Sequence, residues 1–200
     1  MPLSLTKSVR RLAAIVGLLA IALPCWAALE YDEYIERAQK ARQRGDWQDA
    51  ATNYAEAINH PDRPRKPAEW SELHLDYGRA MGVLCQFSEA ATFLERALEI
   101  ARKGNVATAR ALYELGSLAS AEKKQATAVL HLMPLMTDLE KREAAQLSTA
   151  QWADARAKLA ANLAAVGKAE EAARWRPDSS VVNAGNTKDI VPYGSRCNAR

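Results

Sequence analysis

The chain has 200 residues, with 27 Lys and Arg against 24 Asp and Glu, and 48% of its residues are hydrophobic. A chain of this size can bury a core without covalent staples, and three cysteines are too few for a disulfide scaffold. The net charge of +3 does not support nucleic-acid binding. The three excess positive charges lie in the first 27 residues, and the rest of the chain has 24 basic and 24 acidic residues.

Residues 1–27 have the pattern of a secretory signal peptide. Three positive charges precede an apolar run at residues 12–23, and small residues follow it. We expect cleavage after Ala27 and export to a bacterial periplasm, because the run is shorter than the roughly 20 residues of a membrane-spanning helix. Two alternatives stay open, an uncleaved anchor and a lipid on Cys25, although the proline before Cys25 departs from the lipoprotein pattern.

A fixed spacing of small and large residues recurs along the rest of the chain, which is the sign of an internal repeat. The first unit contains Ala38, Gly45, Trp47, Ala50, Tyr54 and Ala57. The same offsets give Gly78, Cys85, Phe87, Ala90, Leu94 and Ala97 in the second unit. They give Gly116, Lys123, Gln125, Ala128, Leu132 and Leu135 in the third, and Ala160, Gly167, Ala169 and Ala172 in the fourth.

This spacing predicts pairs of antiparallel helices. Ala38 and Ala50 lie on either side of a turn at Gly45, so each belongs to a different helix. Small side chains let two helix backbones approach closely where they cross. Trp47 is expected to fill the space at the start of the second helix. Each pair keeps a further apolar face and therefore needs a neighbouring pair to cover it.

The first unit, A-x6-G-D-W-x2-A-x3-Y-x2-A, resembles the tetratricopeptide repeat (TPR) family, and the second unit, G-x8-F-x2-A-x3-L-x2-A, is similar. The resemblance implies an all-α, TPR-like solenoid of three to four antiparallel helix pairs over residues 28–176. Two features depart from the family. Pro134 predicts a kink or an early end in the third unit. The family period is about 34 residues, whereas the spacings here are 40, 38 and 44 between Ala50, Ala90, Ala128 and Ala172.

Local signals set the expected helix boundaries. Residues 60–67 contain three prolines and predict a loop, from which Pro67 opens the next helix. Gly104 is expected to end a helix and Asn105 to cap the following one. A capping box at Ser148 opens the fourth unit.

The C-terminal residues 177–200 are rich in Ser, Asn, Gly and Asp and predict an extended or disordered tail. Cys85 occupies the turn position that glycine holds at Gly45 and Gly167. It is interpreted either as a small turn residue or as the partner of Cys197 in a disulfide that ties the tail to the repeats.

No catalytic pattern is present in the sequence. His60, His74 and His131 are isolated and lack the spacing of metal ligands. The sequence contains no HExxH, GxSxG or P-loop. We predict a non-enzymatic protein that uses no cofactor or metal ion. We expect it to bind neither nucleic acid nor a small-molecule substrate.

The TPR-like geometry implies that the first helix of each pair lines a concave face. Helical phase then predicts a partner-binding set made up of Ile35, Gln39, Arg42, Leu75, Arg79, Tyr113 and Ser117. Arginine, tyrosine and aliphatic side chains are a common mixture in protein interfaces, although an ordinary solvated face remains the alternative. The set lacks the Lys/Asn/Arg pattern with which some family members bind a terminal carboxylate.

The expected function is an adaptor or scaffold of the bacterial envelope that binds a peptide or protein on this face. The alternative is a structural subunit that stacks through its terminal repeat.

Overall fold

The computed structural model describes residues 29–139, 142–176 and 190–197. The predicted signal peptide with Ala27 and Cys25, and residues 177–189 of the predicted tail, lie outside these ranges. Within them the fold is all-α. None of the described helices combines the length and the apolar character that crossing a membrane requires.

The described residues form four consecutive helix pairs. The helices are α1 (Tyr31–Arg44), α2 (Trp47–Asn59), α3 (Pro67–Val83), α4 (Phe87–Lys103), α5 (Ala109–Ala121), α6 (Gln125–Pro134), α7 (Thr149–Ala165) and α8 (Ala169–Trp175). The two helices of each pair pack together, and each second helix packs on the first helix of the next pair. The first helices α3, α5 and α7 also contact one another in succession.

The four turns inside the pairs repeat one pattern of backbone hydrogen bonds. In the first turn, Gly45 N–H donates to Arg42 C=O at 3.0 Å and Asp46 N–H donates to Ala41 C=O at 2.9 Å. This is the Schellman arrangement, which requires a residue with positive φ after the helix. In the four turns this residue is Gly45, Cys85, Lys123 and Gly167, with φ values of 76°, 68°, 58° and 83°. The repeat read from the sequence is therefore present in the backbone as well.

The small residues of the repeat lie where paired helices cross. A β-carbon on Gly78 would lie 2.9 Å from Leu94 Cγ and 3.1 Å from Ala90 O, so α3 approaches α4 more closely than any side chain would allow. Phe87 is half-buried. The fully or almost fully buried members of the repeat also include Ala38, Trp47, Ala50, Tyr54, Ala57, Leu94, Ala97, Ala128, Leu132, Leu135, Ala160 and Ala172.

Two boundary signals differ from their expected roles. Asn105 has φ 52° and lies in the turn after α4, so it does not cap α5, which follows Thr108. At Pro134 the α-helix ends and a π-helical turn (Leu135–Leu139) follows, because proline has no N–H to continue the α-helical ladder. Pro67 is the first residue of α3, and Ser148 forms a capping box with Gln151.

A disulfide bond joins Cys85 to Cys197 across 112 residues of sequence, with the two Cα atoms 5.1 Å apart. Cys85 is therefore both the turn residue and the disulfide partner, and it holds its left-handed φ without the freedom of glycine. Within the predicted extended or disordered tail, residues 190–197 are packed against the first helices and fixed by the disulfide.

Candidate functional site

Ion pairs connect the first helices of successive repeats. On one side, Arg42 of α1 lies 3.3 Å from Asp76 of α3, and Arg110 of α5 approaches the same carboxylate at 3.6 Å. On the other side, Arg79 of α3 pairs with Glu114 of α5. The surface formed by α1, α3, α5 and α7, called here the first-helix groove, is therefore lined by charges from three consecutive repeats.

Burial sets the protonation properties of these groups. Desolvation raises the pKa of Asp76, and the charges of Arg42 and Arg110 oppose that rise. The negative charge of Glu114 raises the pKa of Arg79, so this guanidinium is charged at every accessible pH. Glu114 is 2% exposed and Arg79 is 8% exposed, so the charge of each residue is balanced mainly by the charge of the other.

The segment of residues 190–197, called here the C-terminal segment, lies in this groove. The Tyr193 hydroxyl donates to Glu114 Oε2 at 2.7 Å, beside the Arg79 pair. Desolvation, followed by the charge of Glu114, raises the pKa of Tyr193, so its phenol keeps the proton that it donates. The tyrosine ring lies over Gly82, where a β-carbon would be 2.2 Å from two ring carbons.

Main-chain hydrogen bonds also hold the C-terminal segment. Gly194 N–H donates to Gly82 C=O and Arg196 N–H donates to Val83 C=O, each at 3.1 Å. Both carbonyls belong to the last turn of α3, and the Gly82 carbonyl also accepts the Cys85 N–H of the Schellman turn. The disulfide follows one residue after Arg196. Ser195 N–H donates to Pro192 C=O at 3.3 Å, so the segment turns at Tyr193 and Gly194. It is held by main-chain bonds together with one anchoring side chain.

A cavity of about 570 Å³ opens beside the C-terminal segment. Glu114 and Trp47 are among the residues that line it, and arginine is the most frequent residue type in the lining. The five arginines that line it are Arg42, Arg44, Arg79, Arg110 and Arg196. Arg196 comes from the C-terminal segment itself, so the segment forms part of the wall of this space.

A second cavity of about 290 Å³ lies between the groove and residues 190–193. Tyr113 lines it, and its hydroxyl donates to Asp154 Oδ2 of α7 at 2.8 Å. Lys158 pairs with the same carboxylate and lies 5.4 Å from the Tyr113 ring centroid. Desolvation raises the pKa of Tyr113, so the phenol remains a donor. The Ser117 hydroxyl also lines this cavity, and it has no hydrogen-bond partner among the described residues.

The structure separates the predicted partner-binding set into exposed and covered members. Gln39 is exposed, and Ile35 and Arg42 are partly exposed. The other four members do not face solvent. They are buried among the first helices, and three of them line the cavity beneath the C-terminal segment. These covered members are Leu75, Arg79, Tyr113 and Ser117.

Sequence reasoning missed the acidic partners and the tyrosine that fills the groove. A signal for the acids was present, because Asp76 and Glu114 each precede the small residue of their unit, Gly78 or Gly116, by two positions. Polar residues at the same position of successive repeats face the same surface. For Tyr193 the signal was weaker, an aromatic residue followed by glycine in a polar tail that ends near a cysteine.

Comparison of the chain with models of known protein families gave no match, and neither did comparison with curated proteins. The described residues also contain no group of three or more His, Cys, Asp or Glu side chains placed to bind one metal ion. The interpretation of the site therefore depends on the geometry of the groove and its occupant.

Proposed function

We propose that this protein is a non-enzymatic adaptor of the bacterial envelope that binds a peptide segment of a partner protein in the first-helix groove. One observation carries the proposal: residues 190–197 of the chain already lie there with the contacts of a bound peptide. Main-chain donors reach Gly82 and Val83, and an aromatic side chain reaches Glu114. Peptide recognition in other folds also combines main-chain hydrogen bonds, which give affinity, with side-chain pockets, which give specificity.

The cavity of about 570 Å³ offers room for further contacts of a partner next to the C-terminal segment. Arg44 and Arg196 are exposed there, and Arg42 is partly exposed. Arginine is over-represented among the residues that contribute most to protein association. A partner can therefore engage this side of the groove while the C-terminal segment is in place.

The proposed architecture is a TPR-like solenoid. Its support is the recurrence of one Schellman turn at four equivalent positions and the close approach at Gly78 and Gly116, as in a stack of similar helix pairs. The proposed periplasmic location is supported by the signal-like residues 1–27 and by the disulfide, because such bonds persist in oxidising compartments.

Site-specific photo-cross-linking in the cells that make the protein tests this function. A photoreactive amino acid replaces Gln43, an exposed residue that lines the larger cavity. The matched control replaces Arg96, an exposed residue of α4, which contributes no residue to either cavity. We expect a discrete protein adduct from position 43 and none from position 96. Adducts from position 96 alone would place the partner elsewhere and reject the proposal.

A further inference from the structure

The structure assigns a partner class and a means of control to this groove, and this inference rests on the proposed function. We propose that the groove recognises a segment that turns at a tyrosine followed by a glycine, and that the C-terminal segment competes with it. The Cys85–Cys197 disulfide keeps this internal competitor in place, and a dithiol reductant releases it.

The tyrosine preference follows from two residues of the groove. Gly82 leaves a space that the Tyr193 ring fills, and any side chain at position 82 would overlap the ring. At the end of that space Glu114 accepts the tyrosine hydroxyl and is otherwise compensated by Arg79. A phenylalanine would fill the space but leave one oxygen of a buried carboxylate without its donor, which is costly.

The glycine preference follows from the backbone at the next position. Gly194 has φ 76°, a conformation that residues with a side chain rarely adopt. A β-carbon there would lie 3.3 Å from Phe87 Cζ. This conformation brings the Gly194 and Arg196 N–H groups onto two successive carbonyls at the end of α3. A partner without glycine at this point would lose that pairing.

The disulfide is placed where a reductant can reach it. Cys197 is exposed, whereas Cys85 is partly buried in its turn. A thiolate of the dithiol attacks Cys197 Sγ, the S–S bond breaks, and Cys85 leaves as a thiolate that takes up a proton. The second thiol of the reductant then displaces Cys197 and loses its proton. Two electrons pass to the protein, which ends with two thiols, and the reductant ends as a disulfide.

Release changes the fraction of grooves that are open. While the bond is intact, the end of the segment is fixed at Cys85, and an external segment competes with a ligand that cannot diffuse away. After reduction the segment can leave, and the apparent affinity for an external ligand rises in proportion to the open fraction.

Fluorescence anisotropy with a labelled peptide tests this inference on the full-length protein. The peptide has the sequence Ile-Val-Pro-Tyr-Gly-Ser-Arg, that of residues 190–196. We expect the reduced protein and the Cys197→Ser variant to bind it at least about tenfold more tightly than the oxidised protein. Replacing the peptide tyrosine by phenylalanine should weaken binding to the reduced protein by about tenfold or more.

Two protein variants separate the groove from the disulfide. Gly82→Ala fills the tyrosine space, so binding should be lost in both redox states. Tyr193→Ala keeps the disulfide but empties the space, so the oxidised variant should bind the peptide more tightly than the oxidised wild type. Helical circular dichroism checks that both variants are folded.

Equal affinities for oxidised and reduced protein would overturn the inference, and so would peptide binding that survives Gly82→Ala. A partner cross-linked from position 43 together with no peptide binding would reject this inference and keep the proposed function. Peptide binding without an adduct from position 43 would reject the proposed function alone.

Discussion

Gly116 of α5 lies so close to Leu132 of α6 that a β-carbon on the glycine would stand 2.4 Å from the leucine Cγ. Leu132 is completely buried, and close-packed protein interiors accommodate added atoms poorly. The distance between these helices therefore depends on the absence of a side chain at position 116.

We expect Gly116→Ala to lower the free energy of unfolding by about 1–3 kcal/mol through overpacking. This loss should exceed the gain of about 1 kcal/mol that alanine brings to a helix interior. Urea unfolding of the oxidised proteins provides the measurement. A midpoint equal to that of the wild type would show that the close approach of α5 and α6 is not a constraint.

Gly82→Ala is the matched control for this substitution. A β-carbon at position 82 would overlap the Tyr193 ring. This ring belongs to the C-terminal segment and can leave, whereas Leu132 belongs to α6 and cannot. In reduced protein we expect Gly82→Ala to change the free energy of unfolding by less than about 0.5 kcal/mol, or to raise it. A loss as large as that of Gly116→Ala would mean that the segment is part of the core.

The buried pair of Arg79 and Glu114 gives a second prediction. Arg79→Ala should lower the free energy of unfolding by about 3–5 kcal/mol, because it leaves the Glu114 carboxylate buried without its main counter-charge. Arg96→Ala serves as the control, since Arg96 pairs with Glu99 in an exposed position, and it should change the value by less than about 0.5 kcal/mol. Thermal or urea unfolding distinguishes the two. Equal stability of the Arg79→Ala variant and the wild type would reject the buried pair.

Sequence periodicity was sufficient for the helix pairs, because the constraints at Gly45, Ala50 and Gly78 are local and recur in each unit. It also placed Cys85 and Lys123 at turns, where the structure shows them with positive φ. Schellman turns depend on residues within a few positions of one another, and helix crossings join residues 12 to 16 positions apart within one unit. The sequence of a single unit therefore contains the necessary information.

The solvent exposure of the groove could not be derived in this way. Helical phase placed Arg79 and Tyr113 on the inner face, but it carries no information about a segment at Tyr193 that covers that face. The contact between Tyr193 and Glu114 joins residues 79 positions apart. It also depends on a disulfide whose existence the sequence left open.

The third prediction concerns pH. His74 is buried, with its Nδ1 2.9 Å from Trp70 O, and burial lowers its pKa below the usual 6.5. The unfolded chain takes up a proton near pH 6.5 that the folded protein resists, so His74 makes the protein less stable as pH falls below this value. Urea midpoints at several pH values above and below 6.5 should fall less steeply for His74→Asn than for the wild type. Parallel curves would mean that His74 does not contribute to the acid sensitivity.

Amide hydrogen exchange of the oxidised, full-length protein tests the central claim most directly, namely that the C-terminal segment occupies the groove as a bound peptide. The Gly194 and Arg196 N–H groups bond to Gly82 and Val83 carbonyls, so they should exchange about 100-fold more slowly than in the free peptide. Gly82→Ala should restore the fast rates at these two amides while the amides of α5 remain protected. Free-peptide rates at Gly194 and Arg196 in the oxidised wild-type protein would contradict the account.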